Sequence, residues 1–248
     1  MKIVALYSIK GGVGKTAASV NLAYLSAQDG NQTILCDMDP QGSASFYFRI
    51  RASKKFSSKK LLKGGGNIDK NIKGTDYENL DLLPSKLSFR NLNLHLEARK
   101  RSKKRLRDVL EPLDAEYEYM FLDCPPNITL ASENVFHAAD AVLVPLIPTT
   151  LSVLTYEKLL KFFGKQQLDE SRIYGFFSMV EKRKKMHQEI MERMSEENRF
   201  LQAIIPYRSD VEKMGIYRKP VLRFKPGSSA SKSYEQLWQE VKQVMNSA

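Results

Sequence analysis

Ser8-Ile9-Lys10-Gly11-Gly12-Val13-Gly14-Lys15-Thr16 is a glycine-rich stretch ending in Gly-Lys-Thr. Glycines at such positions let successive backbone N–H groups turn inward on phosphate oxygens, with no side chain in the way. Lys15 then supplies a cation for the β- and γ-phosphates, and the Thr16 hydroxyl a ligand for Mg²⁺. The candidate phosphate cradle is Gly11, Gly12, Val13, Gly14, Lys15, Thr16 and Ala17. It departs from the usual G-x-x-x-x-G-K-[ST] loop, because Ile9 stands where the first glycine is expected and a second lysine, Lys10, opens the turn.

Two aspartate motifs extend this chemistry. Thr33-Ile34-Leu35-Cys36-Asp37 is an apolar run leading into Met38-Asp39-Pro40-Gln41-Gly42. Asp37 and Asp39 lie two apart, so an extended backbone points both the same way. A carboxylate there can orient water for attack on a γ-phosphate. Tyr119-Met120-Phe121-Leu122-Asp123-Cys124-Pro125-Pro126 is a second apolar run ending in aspartate. This is the Walker B pattern, which aims Asp123 at Mg²⁺ directly or through water.

These residues need strands to end beneath the loop and a helix to begin after it. Strands are predicted near 2–8, 33–37, 80–84, 119–123, 141–146, 172–179 and 200–205. Helices are predicted over 15–29, 89–110, 129–138, 152–166, 184–197 and 230–246. The alternation implies an α/β fold: one doubly wound, mostly parallel sheet with helices on both faces, in a single domain over 1–248. Ligand then sits at the carboxyl ends of the strands, where all three motifs fall. The stretch 49–79 is the least readable and is expected to form a partly mobile insertion.

The chain has 248 residues, 42% of them hydrophobic, enough for one sizeable core. Its two cysteines, Cys36 and Cys124, each lie in an apolar strand context, so inert buried thiols are expected rather than a disulfide or a metal site. Neither a signal peptide nor a membrane span is visible, which predicts a cytoplasmic location.

K-G-G-V-G-K-T at 10–16, D-M-D-P-Q-G at 37–42 and Y-M-F-L-D-C-P-P at 119–126 together resemble the deviant Walker A ATPases of the ParA/Soj/MinD group. The D-x-D-P-Q-G motif brings the chain nearer to ParA and Soj than to MinD. Val144 to Pro148, Met179 to Arg183 and Ile205 to Arg208 resemble later segments of that family. The resemblance implies ATP and Mg²⁺ as cofactors and a homodimer when ATP is bound. It implies that Lys10 reaches across to the partner's phosphates and that Asp39 is the catalytic aspartate beside Lys15. It puts Thr16, Asp37 and Asp123 near Mg²⁺, and Pro206 and Tyr207 near the adenine. It further implies slow ATP hydrolysis stimulated by an adaptor protein, ParB-like or cargo-specific. Nonspecific DNA, hence nucleoid association, and the partition or positioning of a plasmid, chromosome or other cargo also follow from it.

The formal charge of +11 agrees with a polyanion partner. Basic residues gather at 54–63, at 99–107, at Lys182 to Lys185 and at 213–225. Soj-like proteins tend to be basic a few positions after the I-P-R-N proline, but this chain has Asp210 there. Other residues must therefore meet DNA, and Lys182, Arg183, Lys184, Lys185, Lys213, Arg218 and Arg223 are the candidates. Two alternatives stay open. One is a MinD-like membrane switch using the amphipathic C-terminal helix, although that helix has no Lys/Arg-rich polar face and is expected to dock on the core, with no membrane contact. The other is a metabolic P-loop enzyme, such as a dethiobiotin-synthetase-like ligase or an iron-protein-like reductase; two strand cysteines do not supply the latter's cluster ligands.

Overall fold

The computed structural model describes residues 1–99, 102–195 and 199–247. Eight strands form one sheet: β1 (Lys2–Leu6), β2 (Thr33–Asp37), β3 (Lys73–Gly74), β4 (Leu80–Leu83), β5 (Tyr119–Asp123), β6 (Ala141–Leu146), β7 (Ile173–Val180) and β8 (Phe200–Pro206). Their order is β3-β4-β2-β5-β1-β6-β7-β8. Every pairing is parallel except that of β3 with β4. The five longer helices are α1 (Lys15–Gln28), α2 (Leu130–Ala138), α3 (Thr150–Lys165), α4 (Lys185–Ser195) and α5 (Ser229–Ser247).

The central strands β1, β2, β5 and β6 are buried on both faces, as a parallel sheet requires. Ile3 and Ala5 of β1, with Tyr7 just after it, enter one core with Val135 and Phe136 of α2 and Val153, Tyr156 and Phe163 of α3. Val4 and Leu6 enter the other with Ala18, Val20 and Leu22 of α1 and Tyr234, Leu237 and Trp238 of α5. The apolar face of α5 is thus docked, with Leu237, Trp238 and Val241 no more than 1% exposed. Its far end is tied to α1, where Asp29 accepts from Trp238 Nε1 at 2.8 Å and Lys242 Nζ at 2.6 Å.

The helix expected over 89–110 is not continuous. A 3-10 turn (Leu87–Asn91) runs into a short helix (Leu92–Glu97), and a second helix starts only at Arg105 and ends at Leu110. Arg99, Lys103, Lys104 and Arg105 would crowd like charges at helical spacing, which disfavours a continuous helix there. The break lets Leu92, Leu96, Leu106 and Val109 all reach one core. Lys100 and Arg101 of that basic run, and residues 196–197 of the helix predicted over 184–197, lie outside the described residues. The stretch 49–79 also differs from expectation: it is built from short helices at Ser58–Leu61 and Gly66–Asp69 and buries Phe56, Leu61, Leu62 and Ile68.

Candidate nucleotide site

β1 lies centrally, with β5 and β6 on either side, and the chain winds outward in both directions from it. At such a reversal the strand ends leave a crevice. The loop after β1 fills its base. Gly12 and Gly14 have φ of +69° and +91°, a region that strains side-chain-bearing residues. Gly14 is doubly constrained, since a Cβ there would lie 2.7 Å from Ser178 Oγ. The turn delivers the chain into α1, whose N-terminal N–H groups and dipole favour an anion.

Lys15 is buried beneath the loop, 7% exposed, and its Nζ donates to the Lys10 carbonyl at 3.0 Å. Burial pulls its pKa below the usual lysine value, and the negative charges of Asp123 and Asp39 counter that pull. A phosphate would add the missing counter-charge. Lys10 is placed differently. It lines a small recess with Ser8, Val13 and Thr155, on the α3 side of the loop rather than in the cleft. Val13 is 2% exposed in that same recess, so only its backbone is available to a phosphate.

Parallel pairing of β2 with β5 sets Asp37 opposite Asp123. Asp123 is held by Ser19 Oγ at 3.0 Å and by the Thr16 hydroxyl. Asp37 accepts from both the backbone N and Oγ of Ser45, each at 2.7 Å on Oδ2. One oxygen of each carboxylate, Asp37 Oδ1 and Asp123 Oδ2, is buried with no hydrogen-bond partner. Burial first raises both pKa values; repulsion from Asp123 adds to that of Asp37, and repulsion from Asp39 adds to that of Asp123. Two orphaned, adjacent carboxylate oxygens beside a threonine hydroxyl fit a hard divalent cation. Among the described residues no cluster of three or more His, Cys, Asp or Glu side chains holds a metal alone. That suits Mg²⁺, which takes one or two carboxylates and completes its shell with water and phosphate oxygens.

Asp39 does not continue the strand with Asp37. β2 ends at Asp37, and Asp39 opens a turn in which its Oδ1 accepts from Gln41 N at 2.9 Å and its carbonyl from Ser85 Oγ. The turn lifts Asp39 into the open cleft, whereas Asp37 stays beneath it. The cleft holds about 380 Å³ and is lined by Gly11, Gly12, Gly14, Lys15, Thr16 and Ala17 at one end. Pro206, Tyr207, Arg208 and Tyr47 line it farther along. Tyr207 is 46% exposed and fixed by its N–H to the Val180 carbonyl at 2.9 Å and by its hydroxyl to Glu212 at 2.8 Å. An exposed ring so fixed can take a flat base on its face.

Sequence reading missed Ser19, Ser45 and Ser178. Ser19 had a signal, being a polar residue three after Thr16 and so on the same face of the helix that follows the loop. Ser45 and Ser178 had none that is local. Met179, next to Ser178, has φ of +55°, rare for a residue with a side chain, at the cleft wall.

The basic candidates divide. Lys184 pairs with Glu181 at 2.5 Å and Lys185 with Glu189 at 3.6 Å. Arg218 lies over the Phe46 ring at 4.2 Å and donates to the Phe46 carbonyl at 3.0 Å. Arg223 lies over the Tyr77 ring at 5.8 Å. Lys182, Arg183 and Lys213 are exposed.

Comparison with known proteins agrees with this geometry. The AAA-domain family matches residues 1–173. The sporulation initiation inhibitor protein Soj of Bacillus subtilis is 28% identical, over 97% of this chain and 98% of its own. The chromosome partitioning protein ParA of Caulobacter vibrioides is also 28% identical, over 97% and 94%. A plasmid partition protein of Borrelia burgdorferi, solved with AMPPNP, superposes with a TM-score of 0.85 at 27% identity, covering 98% of each chain. The cell-division ATPase MinD of Pyrococcus furiosus, at 21% identity and TM-score 0.78 over 98% and 99%, shares the fold.

Proposed function

Because the chain belongs to the AAA-domain family and is an ATPase of the ParA/Soj type, we propose that it is a nucleotide-driven dimer switch that partitions or positions a cargo on DNA. The observation that carries the switch is the placement of its two loop lysines. Lys15 lines its own cleft, while Lys10 lines a separate recess beside it. A cation outside its own phosphate site has a use when a second subunit brings another phosphate site to it.

In this reading the loop N–H groups and Lys15 bind the β- and γ-phosphates. Thr16, Asp37 and Asp123 hold Mg²⁺, with Ser19 and Ser45 fixing the two carboxylates from behind. When bound, Mg²⁺ supplies charge neutralisation across the phosphate oxygens. Asp39, exposed in the cleft, orients the attacking water and holds its proton. Pro206 and Tyr207 receive the adenine. ATP binding closes two subunits into a sandwich with nonspecific affinity for DNA, and an adaptor stimulates hydrolysis to release it. Similarity to Soj, ParA and the Borrelia partition protein supports DNA segregation as the setting, with nucleoid association following from it. A MinD-like membrane role would need a free amphipathic helix, and the apolar face of α5 is buried in the core.

The test is mass and DNA binding of wild type and Lys10→Ala with ATP, ADP and a slowly hydrolysed analogue. Wild type should dimerise and bind duplex DNA only with ATP or the analogue. Lys10→Ala should still bind nucleotide yet stay monomeric. Normal dimerisation and turnover by Lys10→Ala would overturn the trans-lysine role.

A further inference from the structure

Between Arg49 and Asp69 the chain has no acidic residue and six basic ones: Arg51, Lys54, Lys55, Lys59, Lys60 and Lys63. Their backbones are engaged, as where Lys60 N donates to Ser57 Oγ and Lys63 O accepts from Arg105. Their side-chain nitrogens make no hydrogen bond or ion pair with any described residue, and all but Lys60 belong to exposed residues. In this they differ from Lys184, Lys185, Arg218 and Arg223, whose charged groups meet partners within the chain.

The segment is nevertheless built into the fold. Phe56, Leu61 and Leu62 are 2%, 0% and 0% exposed. They join a core that includes Phe89, Leu92 and Leu96. Ser58 Oγ lies 2.9 Å from His95 Nδ1, and Lys86 Nζ donates to the Ser53 carbonyl at 3.0 Å. The Arg105 guanidinium donates twice to the Leu62 carbonyl, at 2.9 and 2.7 Å. Apolar anchors point in and cationic heads point out.

A loose lysine-rich loop relieves its self-repulsion by spreading. An anchored one cannot, so its repulsion persists until an external anion meets it. None of the large, exposed apolar side chains falls between residues 50 and 68, so this surface has no ring to stack on a base. Cations without stacking groups suit sequence-independent contact with phosphate backbone. Several heads on a fixed scaffold suit a stiff duplex, with one charge per about 1.7 Å of helix axis, better than a flexible acidic peptide that must be ordered to bind.

We infer that residues 51–63 form an ordered cationic shelf that contacts the phosphate backbone of duplex DNA, apart from the basic cluster at 182–223. The inference rests on DNA being the partner proposed above. The experiment measures binding of a random-sequence duplex at several salt concentrations, with the slowly hydrolysed ATP analogue present. It compares full-length wild type, K54Q/K55Q/K59Q/K60Q/K63Q and the matching five-fold Lys→Arg variant. Basal ATPase activity and melting temperature verify that each is folded. Each lost phosphate contact removes roughly 0.9 from the slope of log K against log salt. The glutamine variant should therefore lose about 2–4 from the slope, and the arginine variant should keep the wild-type value. A wild-type slope in the glutamine variant overturns the shelf alone. So does a glutamine variant that loses binding to polyglutamate but keeps its grip on duplex, which would make the partner an acidic polypeptide. Wild type that binds no duplex overturns both the shelf and the DNA reading.

Discussion

The head of the cleft and the shelf at 51–63 handle charge in opposite ways. At the cleft, Lys15, Asp37 and Asp123 are buried, and most of their polar atoms are tied to neighbours. What is left over is small and specific: two carboxylate oxygens with no partner. On the shelf the charges stay in water and are left unpaired together. A buried orphan is costly, so it marks a ligand of defined geometry. An exposed unpaired lysine costs little, so only the collective pattern carries information, and its partner is held by screened, long-range attraction.

Substitutions can break that contrast, most strongly at the cleft. Lys15→Ala should lower ATP turnover by at least about 100-fold at any salt concentration, because a preorganised cation in a low-dielectric site is lost. A salt-dependent loss in a steady-state assay would mean that Lys15 acts as a surface charge. Asp123→Asn should lower turnover by a similar factor of about 100, yet raise the stability of the nucleotide-free protein by about 1 kcal/mol. That gain follows from relieving repulsion between buried carboxylates, and a urea midpoint that falls would contradict it.

The same repulsion sets a pH dependence. Asp37 and Asp123 have folded-state pKa values raised, first by burial and then by neighbouring carboxylates. Over the range between the ordinary carboxylate value and those raised values, the folded protein binds more protons than the unfolded one. Stability without Mg²⁺ should therefore rise as pH is lowered from about 8 towards 5. Thermal melts across that range measure it, and a flat profile would show that the pair is compensated some other way. On the shelf, raising salt from about 50 to 200 mM should erase most of the shelf's share of DNA affinity while leaving ATP affinity nearly unchanged.

Asp29 lies between the extremes and gives the smallest effect. Burial would raise its pKa, but hydrogen bonds from Lys242 and Trp238 outweigh that and lower it. Its contribution is present above the ordinary aspartate value and is lost as pH falls through the lowered one. Asp29→Asn should cost about 1 kcal/mol, since the pair with Lys242 is partly exposed and screened. Denaturant midpoints at neutral pH verify this.

The legible parts of the molecule were those whose physics is local. Residues 10–16 announce a phosphate loop because glycine accepts the positive φ values of Gly12 and Gly14 without the strain a side chain brings. The strand segments announce themselves as short apolar runs ending in Asp37 and Asp123. The predicted helix over 89–110 failed because its apolar spacing was read through a run of like charges that the chain instead resolves with a break. Nothing local in the sequence says that Phe46 will take up the Arg218 guanidinium.

The amino-acid sequence by itself determined the ATP-site chemistry, the alternation of strands and helices, and the excess of positive charge. Backbone sterics, side-chain periodicity and ionisable groups are properties of neighbouring residues, so they survive in one dimension. Only the tertiary structure decided that Asp37 and Asp123 lie opposite each other with an oxygen each to spare, and that Lys10 and Lys15 line different spaces. It also decided that the lysines at 54–63 stand on an anchored shelf while other basic residues are already engaged. Desolvation and partner choice depend on which distant segments meet, and that is settled only when the sheet assembles.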